Sequence, residues 1–393
     1  MSQTLPDWAI WNFEPGRAAW TVGIEEEVML LDPVSWRLAQ ISDSLLPELS
    51  PRLAGKVSAE THACTLELAT GVHSTVRSAA AELYSLRATL AAELHGLGLR
   101  AAVAGTHPLA HGHEIEVSGG ARYRLLHEGL RVLARREPTF ALHVHVGVPD
   151  AELAVRAADR LRAHLPLILA LSANSPFWAG RDSGMASART PLFQAFPRAG
   201  VPRRANTYAA YVERLDVLLR AEAFPEPTFV WWDVRLQPRF GTVEVRIADA
   251  QTSVAEVAAL AAFIQAVVRL EATEGFADEA LVEAHEVIEE NRFLAARDGM
   301  AAELVDPTID ARVPAAEQLA GVFEACAEHA MVLDSQAELE VAAVLGARAR
   351  GEHQRELASS HGLEGVLPEL SGAFLDPASL AGETAALLAT PRP

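Results

Sequence analysis

Four short segments, far apart in the chain, place apolar residues at or near every second position with Glu, His or Arg between them. They are Ile24-Glu25-Glu26-Glu27-Val28, Thr65-Leu66-Glu67-Leu68-Ala69, Leu142-His143-Val144-His145-Val146 and Thr242-Val243-Glu244-Val245-Arg246-Ile247. A period of two is the pattern of a strand, whose successive side chains point to opposite faces. Read so, each segment puts its charged groups on one face: Glu25 and Glu27, Glu67, His143 and His145, Glu244 with Arg246. The Leu, Ile and Val residues then face a helical layer, and Glu26 is the one break in the rule. So much like charge on one surface is costly unless something positive sits there. Divalent metal is the simplest candidate, and an enzyme site is the leading reading.

The remaining pattern is largely helical. Val76 to Leu97 carries an apolar stripe of Val76, Leu83, Leu86, Leu90 and Leu94. Asp150 caps a helix running toward Leu171, with Pro166 expected to kink or end it. From Ser253 to about Arg350 the periodicity is nearly all helical, with breaks near Gly275 and at Asp306-Pro307, while 178–208 reads as a long ordered loop. Because the strands share one functional face, the chain reads as a single α+β catalytic domain over residues 1–393. Its core covers about 20–350 on a largely antiparallel sheet, the helical C-terminal third packs on that sheet, and a mobile tail follows about residue 382. A net charge of −19, from 33 basic and 52 acidic residues, disfavours nucleic acid and anionic membrane as partners. Two isolated cysteines, no visible signal peptide and no long apolar run point to the cytoplasm.

Glu25 and Glu27 lie two apart on a strand, roughly 7 Å between side-chain origins, which lets two carboxylates serve neighbouring metals. Hard oxygen ligands suit Mg²⁺, with Mn²⁺ as the alternative. Taken alone, Glu-Glu-Glu is as readily a solvated edge, and only the company of the other strands turns the reading. Glu67, with Glu60 seven residues earlier, could equally be an exposed acid on an amphipathic strand. His143-Val144-His145 resembles metal-binding His-x-His pairs, and two imidazoles with Glu would also suit zinc. Arg246 beside Glu244 is a simple salt bridge or, next to metal, a phosphate or carboxylate clamp. Asp233 and Arg235 repeat that spacing, and Arg181 and Arg189 bring cations from the 178–208 segment. There is no GxxxxGK[ST], GxSxG or HExxH, so any ATP is bound without a P-loop.

Together these stretches resemble the glutamate–cysteine ligase type 2 family, the YbdK-like carboxylate–amine ligases. The matches are Val22 to Glu27, Glu67 to Gly71, Gly105-Thr106-His107-Pro108, His143 to Gly147, Ser175 to Asp182, Trp232-Asp233-Val234-Arg235, Phe240 to Arg246, and Asn291-Arg292 with Ala295-Ala296-Arg297. The resemblance implies a curved antiparallel sheet forming a funnel packed by helices, like the catalytic domain of glutamine synthetase. It implies an ATP-dependent carbon–nitrogen ligase joining a small carboxylate to an amine through an acyl phosphate, with Mg²⁺ and as a homodimer. It gives Glu25, Glu27, Glu67, His143 and Glu244 as metal ligands, with Glu60 and His145 as second choices. Arg246 would meet the phosphates, and Arg235 and Arg181 would meet substrate carboxylate or phosphate.

The chain departs from the family at Ala63-Cys64, Phe140-Ala141, Leu109 to Glu116 and Asp298. Read as pocket positions, these departures leave the ligase chemistry in place with substrates other than glutamate and cysteine. The rival readings are a metal-dependent hydrolase or transferase using the same His and Glu residues without ATP, and a non-catalytic protein that keeps the fold.

Overall fold

The computed structural model describes residues 5–14, 16–136, 138–346 and 350–375. All four alternating segments form strands of one seven-stranded sheet, the fourth only as far as Val245, so that Arg246 and Ile247 lie just past its end. Its members are β1 (Val22–Leu31), β2 (Val57–Ala59), β3 (Thr65–Ala69), β4 (Arg100–Ala102), β5 (Leu142–Gly147), β6 (Val234–Gln237) and β7 (Thr242–Val245). They run in the order β6-β7-β5-β1-β3-β2, and every pairing is antiparallel. β5 accompanies β1 from Val22 to Glu26, and β4 replaces it at Met29–Leu31. The turn between β6 and β7 depends on Gly241, at φ +62° with a Cβ position only 2.7 Å from the Asn12 carbonyl oxygen.

The back of the sheet is apolar because the alternate residues are. Ile24, Val28, Leu66, Leu68, Leu142, Val144, Val146, Val243 and Val245 are all buried in one hydrophobic cluster. Eight helices matter here: α1 (Val76–Gly96), α2 (Ala151–Leu161), α3 (Leu165–Ser172), α4 (Val254–Thr273), α5 (His285–Asp298), α6 (Ala315–Val332), α7 (Gln336–Leu345) and α8 (Val366–Ala373). α4 is buried on nearly all sides, as a helix without a polar face must be, and packs against β1 and β5 as well as α1, α2, α6 and α7. It starts in a capping box, with Ser253 and Glu256 exchanging side-chain bonds to backbone N–H. The α1 stripe of Val76, Leu83, Leu86, Leu90 and Leu94 is buried as its spacing predicts.

Three expectations need correction. The helix capped by Asp150 stops at Leu161, passes through a tight turn at Arg162–His164 and resumes as α3. Pro166 lies in the first turn of α3, and its ring cannot sit over the carbonyl four residues back in a continuous α-helix. The stretch after Ser253 is not helical throughout, since Glu303–Asp306 pairs with Ala311–Pro314 as a hairpin. The Asp306-Pro307 break is its turn, where Asp306 accepts from the Thr308 N–H and hydroxyl. The 178–208 segment likewise contains structure, a two-residue pairing of Phe177–Trp178 with Arg181–Asp182 and a short helix at Arg189–Phe193. The expected tail after about residue 382 lies outside the described residues. Among the described residues no helix is long and apolar enough to cross a membrane.

Candidate active site

Antiparallel register turns four sequence fragments into one patch. Glu25 pairs with His143, Glu27 with Glu67, His145 with Glu244, and Glu244 with Arg235. The side chains follow. His143 Nδ1 lies 3.2 Å from a Glu25 oxygen and 4.0 Å from Glu67, and His145 Nε2 lies 3.4 Å from Glu25 and 3.9 Å from Glu244. Two groups hold ligand atoms close enough for one ion each: Glu25, His143 and Glu244, and Glu27, Glu67 and His143. Glu60 completes the acidic side; its charge raises both Glu27 and Glu67.

The patch has two electrostatic halves. Glu244 is fully buried and saturated with donors. Arg235 reaches it through Nε at 2.6 Å and a terminal nitrogen at 3.1 Å, Gln237 donates at 2.8 Å, and Arg246 adds a further bond. Burial raises the Glu244 carboxyl, but Arg235, Arg246 and His145 overcome it and hold it well below its ordinary range. Burial likewise opposes Glu25, yet His145 and the hydrogen bonds from both imidazoles keep it low. Among the described residues neither Glu27 nor Glu67 accepts a hydrogen bond from a guanidinium or an imidazole, and Glu27 has only the backbone N–H of Ala141. Burial and the Glu60 charge push Glu27 up to about 8, and burial with Glu25, Glu60 and Glu27 raises Glu67 well above the carboxylate range. His143 is held at about 4 by burial and the Arg246 charge, so it is a neutral imidazole, and its Nε2 is buried without a hydrogen-bond partner among the described residues. Thr242 bonds His145 Nδ1 at 3.0 Å and so leaves Nε2 facing Glu25 and Glu244.

A cleft of about 490 Å³ opens beside Glu25 and His145, lined also by Arg17, Thr70, Arg239 and Phe240. Phe240 is half exposed, with the Arg239 guanidinium 5.6 Å from its ring centre.

A family model described as glutamate–cysteine ligase family 2 (GCS2) matches residues 21–360. The chain belongs to glutamate–cysteine ligase family 2. A protein of Rubrobacter xylanophilus provisionally named glutamate–cysteine ligase 2-1 is 35% identical over 92% of this chain and 98% of its own. One from Sorangium cellulosum, provisionally named glutamate–cysteine ligase 2, is 38% identical over 81% and 86%. Among solved structures, the glutamate–cysteine ligase of Francisella tularensis in complex with AMP aligns with TM-score 0.66. It covers 94% of this chain and 92% of that one, and at 15% identity the likeness speaks for the fold alone. Membership makes the chain an enzyme of the carboxylate–amine ligase type, which sets aside the hydrolase and non-catalytic readings.

Within family 2, several matched motifs prove to be scaffolding here. In Gly105-Thr106-His107-Pro108, Thr106 donates to the Phe177 carbonyl and His107 Nε2 contacts the Trp36 carbonyl oxygen at 2.9 Å. A Cβ on Gly105 would sit 2.6 Å from Asp249. Asp249 is itself fully buried and accepts from the Asn174 N–H and the Ser175 and Ser187 hydroxyls. Asp233 pairs with Arg292 in a buried bridge, 2.5 Å at its shorter contact. Arg235 spends its third nitrogen on the Thr228 and Val230 carbonyls, so its guanidinium is committed to Glu244 and the backbone. Arg181 is exposed on its short strand, and its side chain makes no hydrogen bond or ion pair among the described residues. Arg189 is buried, donates to the Ile247 and Arg246 carbonyls, and its charge lowers Glu27.

The departures at Ala63-Cys64 and Phe140-Ala141 do not line the cleft. Cys64 and Phe140 are wholly buried in the core, and the Ala141 N–H donates to Glu27 at 2.6 Å. Asp298 pairs with its neighbour Arg297. These positions therefore carry no argument for altered substrates. Gln237 and Thr242, which orient Glu244 and His145, were not singled out from sequence. Their signal is only that they fall at register positions beside acid and imidazole, which one strand read alone cannot reveal.

Proposed function

We propose that this ligase uses ATP and Mg²⁺, with Mn²⁺ as the alternative, to join a small carboxylate to an amine. The observation that carries the reading is the cluster of carboxylates on buried His143, with Nδ1 3.2 Å from Glu25 and 4.0 Å from Glu67 and with Glu27 and Glu244 close enough to share an ion. Oxygen-rich donors with one neutral imidazole fit a hard divalent cation, and the raised Glu27 and Glu67 mark where positive charge is lacking. Glu25 and Glu244 would hold one ion and Glu27 and Glu67 another, with His143 a ligand to one of the two and Glu60 and His145 in support. Bound there, the metal offsets charge on the transferring phosphoryl group.

The substrate carboxylate takes the terminal phosphoryl group of ATP and releases ADP. The amine then attacks the acyl phosphate, forms the amide and expels phosphate. Arg246, anchored on Glu244 and 3.4 Å from His143 Nδ1, meets the phosphates. Arg235 holds Glu244 in place for that work, and Arg181 reaches substrate only if its short strand moves inward. The cleft by Phe240 receives the nucleotide, with Arg17 and Arg239 near its phosphates and the exposed ring available for stacking. The whole chain works as one catalytic domain, since one hydrophobic cluster runs from the sheet through α4 to α8. Two buried free cysteines fit a reducing cytoplasm, and the family resemblance supports a homodimer.

ADP and phosphate release, assayed with Mg²⁺ across a matrix of acids and amines, tests the reaction. Turnover that requires one acid and one amine, and is absent in Glu25→Ala, is expected. No nucleotide binding by calorimetry and no turnover across the panel would overturn it.

A further inference from the structure

Glu26 lies between two site carboxylates yet points the opposite way and is fully buried. Its cross-strand neighbours are Leu68 and Leu142, and Ile24 and Val28 flank it on the same face of β1. A leucine there would continue the apolar row in every direction. Instead Glu26 forms an ion pair with Arg87 of α1, and neither side chain has any exposed surface.

Every N–H of that guanidinium is spent. Nε donates to one Glu26 oxygen at 2.8 Å, and one terminal nitrogen donates to the other and to the Gln251 carbonyl at 2.9 Å. The second terminal nitrogen donates to the carbonyls of Thr252 at 2.8 Å and Phe374 at 3.3 Å. The Phe374 ring, next to the end of α8 and 2% exposed, covers the guanidinium at 4.8 Å.

A buried ion pair is poor value as a source of stability, because desolvating both charges offsets most of their attraction. Its distinctive property is direction: two parallel hydrogen bonds accept one orientation of the carboxylate. A slip of β1 by one residue would turn Glu25 and Glu27 into the core and Glu26 toward the site. Arg87 prevents that slip from behind, because it finds its carboxylate only in the observed register. We propose that Glu26 and Arg87 are positioning residues of the ligase site. They clamp β1 from the core side and, through Phe374, make the end of α8 part of what holds Glu25 and Glu27 in place. The inference rests on Glu25 and Glu27 being working carboxylates, as read above.

The test compares the wild type with the uncharged Glu26→Met/Arg87→Met double variant. Melting temperature, Mn²⁺ affinity by electron paramagnetic resonance without nucleotide, amide exchange across residues 24–28 and steady-state kcat are measured on the full chain. A clamp predicts an unchanged or higher melting temperature, Mn²⁺ binding weakened at least tenfold, faster exchange in β1 and kcat lowered at least tenfold. A folded double variant with wild-type Mn²⁺ affinity and kcat would overturn the proposal. Should the double variant fail to fold, Phe374→Ala decides, since it leaves the pair intact. Loss of exchange protection at Glu25 to Glu27 with weaker Mn²⁺ binding supports the clamp, and wild-type behaviour removes it. A wild type that binds Mn²⁺ but ligates nothing would sink the proposed reaction and leave the clamp standing, because affinity and exchange still separate the variants.

Discussion

Glu244 and Glu67 stand on the same face of one sheet, with β5 and β1 between their strands, and meet opposite surroundings. Glu244 is given its positive charge by the chain itself through Arg235, Arg246 and Gln237. Glu67 has three acidic neighbours in Glu25, Glu27 and Glu60, and its nearest hydroxyl, on Ser58, is 3.5 Å away. The Glu244 charge is balanced as folded, and the Glu67 charge is balanced only by a proton or a cation. The contrast teaches where the ligase has left work for a ligand, and it can be broken most sharply by removing one charge from each half. Glu244→Gln strands the buried Arg235 and the partly buried Arg246 guanidinium and should cost about 3–5 kcal/mol of stability. Glu67→Gln removes a carboxyl whose charge burial and its acidic neighbours already disfavour, so the change should stay within about 1 kcal/mol. Both should lower turnover on the order of 100-fold or more, since each belongs to the proposed metal shell. Denaturant melts without metal, beside ADP release with Mg²⁺, measure the pair of effects, and equal destabilisation would erase the distinction.

pH separates the halves without mutation. The folded chain keeps a proton on Glu27 up to about pH 8, where an unfolded carboxyl with its value near 4.5 has lost it. Since the folded state binds more protons in that window, stability is full below the unfolded value and falls as pH rises toward 8. His62, held at about 4 by burial, acts in the opposite sense, but above pH 6.5 it is neutral in both states. A metal-free melting temperature should therefore decline from pH 6.5 to 8. Saturating Mg²⁺ should flatten that decline, because a bound cation replaces the proton. Scanning fluorimetry in chelator and in Mg²⁺ reads both curves, and a rising metal-free curve would refute the assignment.

Much of this contrast was legible in the sequence. Alternation alone put Glu25, Glu27, Glu67, His143, His145 and Glu244 on strand faces, because period two leaves no other regular structure. What it could not supply was register: nothing local says that Glu27 faces Glu67 while Glu244 faces Arg235. Arg235 read as a free clamp because the carbonyls of Thr228 and Val230 that occupy it belong to a loop without periodicity. Arg87 was hidden for a different reason. It lies inside the apolar stripe of α1, where a polar residue looks like a lapse until its partner on β1 is known. The Glu303–Pro314 hairpin was missed because strands of four residues are too short to outweigh the helices on either side.

Arg235→Lys sharpens the comparison at smaller cost. Lysine keeps the charge near Glu244 but cannot present two parallel N–H groups, nor serve the Thr228 and Val230 carbonyls at once. A loss of about 1–3 kcal/mol is expected, with turnover reduced on the order of tenfold and the apparent KM for ATP nearly unchanged. A rise in that KM with unaltered kcat would return Arg235 to direct phosphate binding.

The smallest effect belongs to the group that joins the halves. His145 Nε2 lies between Glu25 and Glu244, and the hydroxyl of Thr242 at Nδ1 fixes which way the ring presents it. Burial disfavours the imidazolium, but the Glu25 and Glu244 charges outweigh burial and raise the pKa of His145 above its ordinary value. Thr242→Val keeps the β-branched shape on β7 and deletes one hydrogen bond, so stability should fall by about 1 kcal/mol. The ring then loses its second anchor while both carboxylates still hold its charge. Turnover should drop by about tenfold or less, and the His145 signal in a nuclear magnetic resonance titration should broaden without moving far toward lower pH. A large downward move in that titration would mean that Thr242, rather than the carboxylates of the two halves, sets the charge of His145.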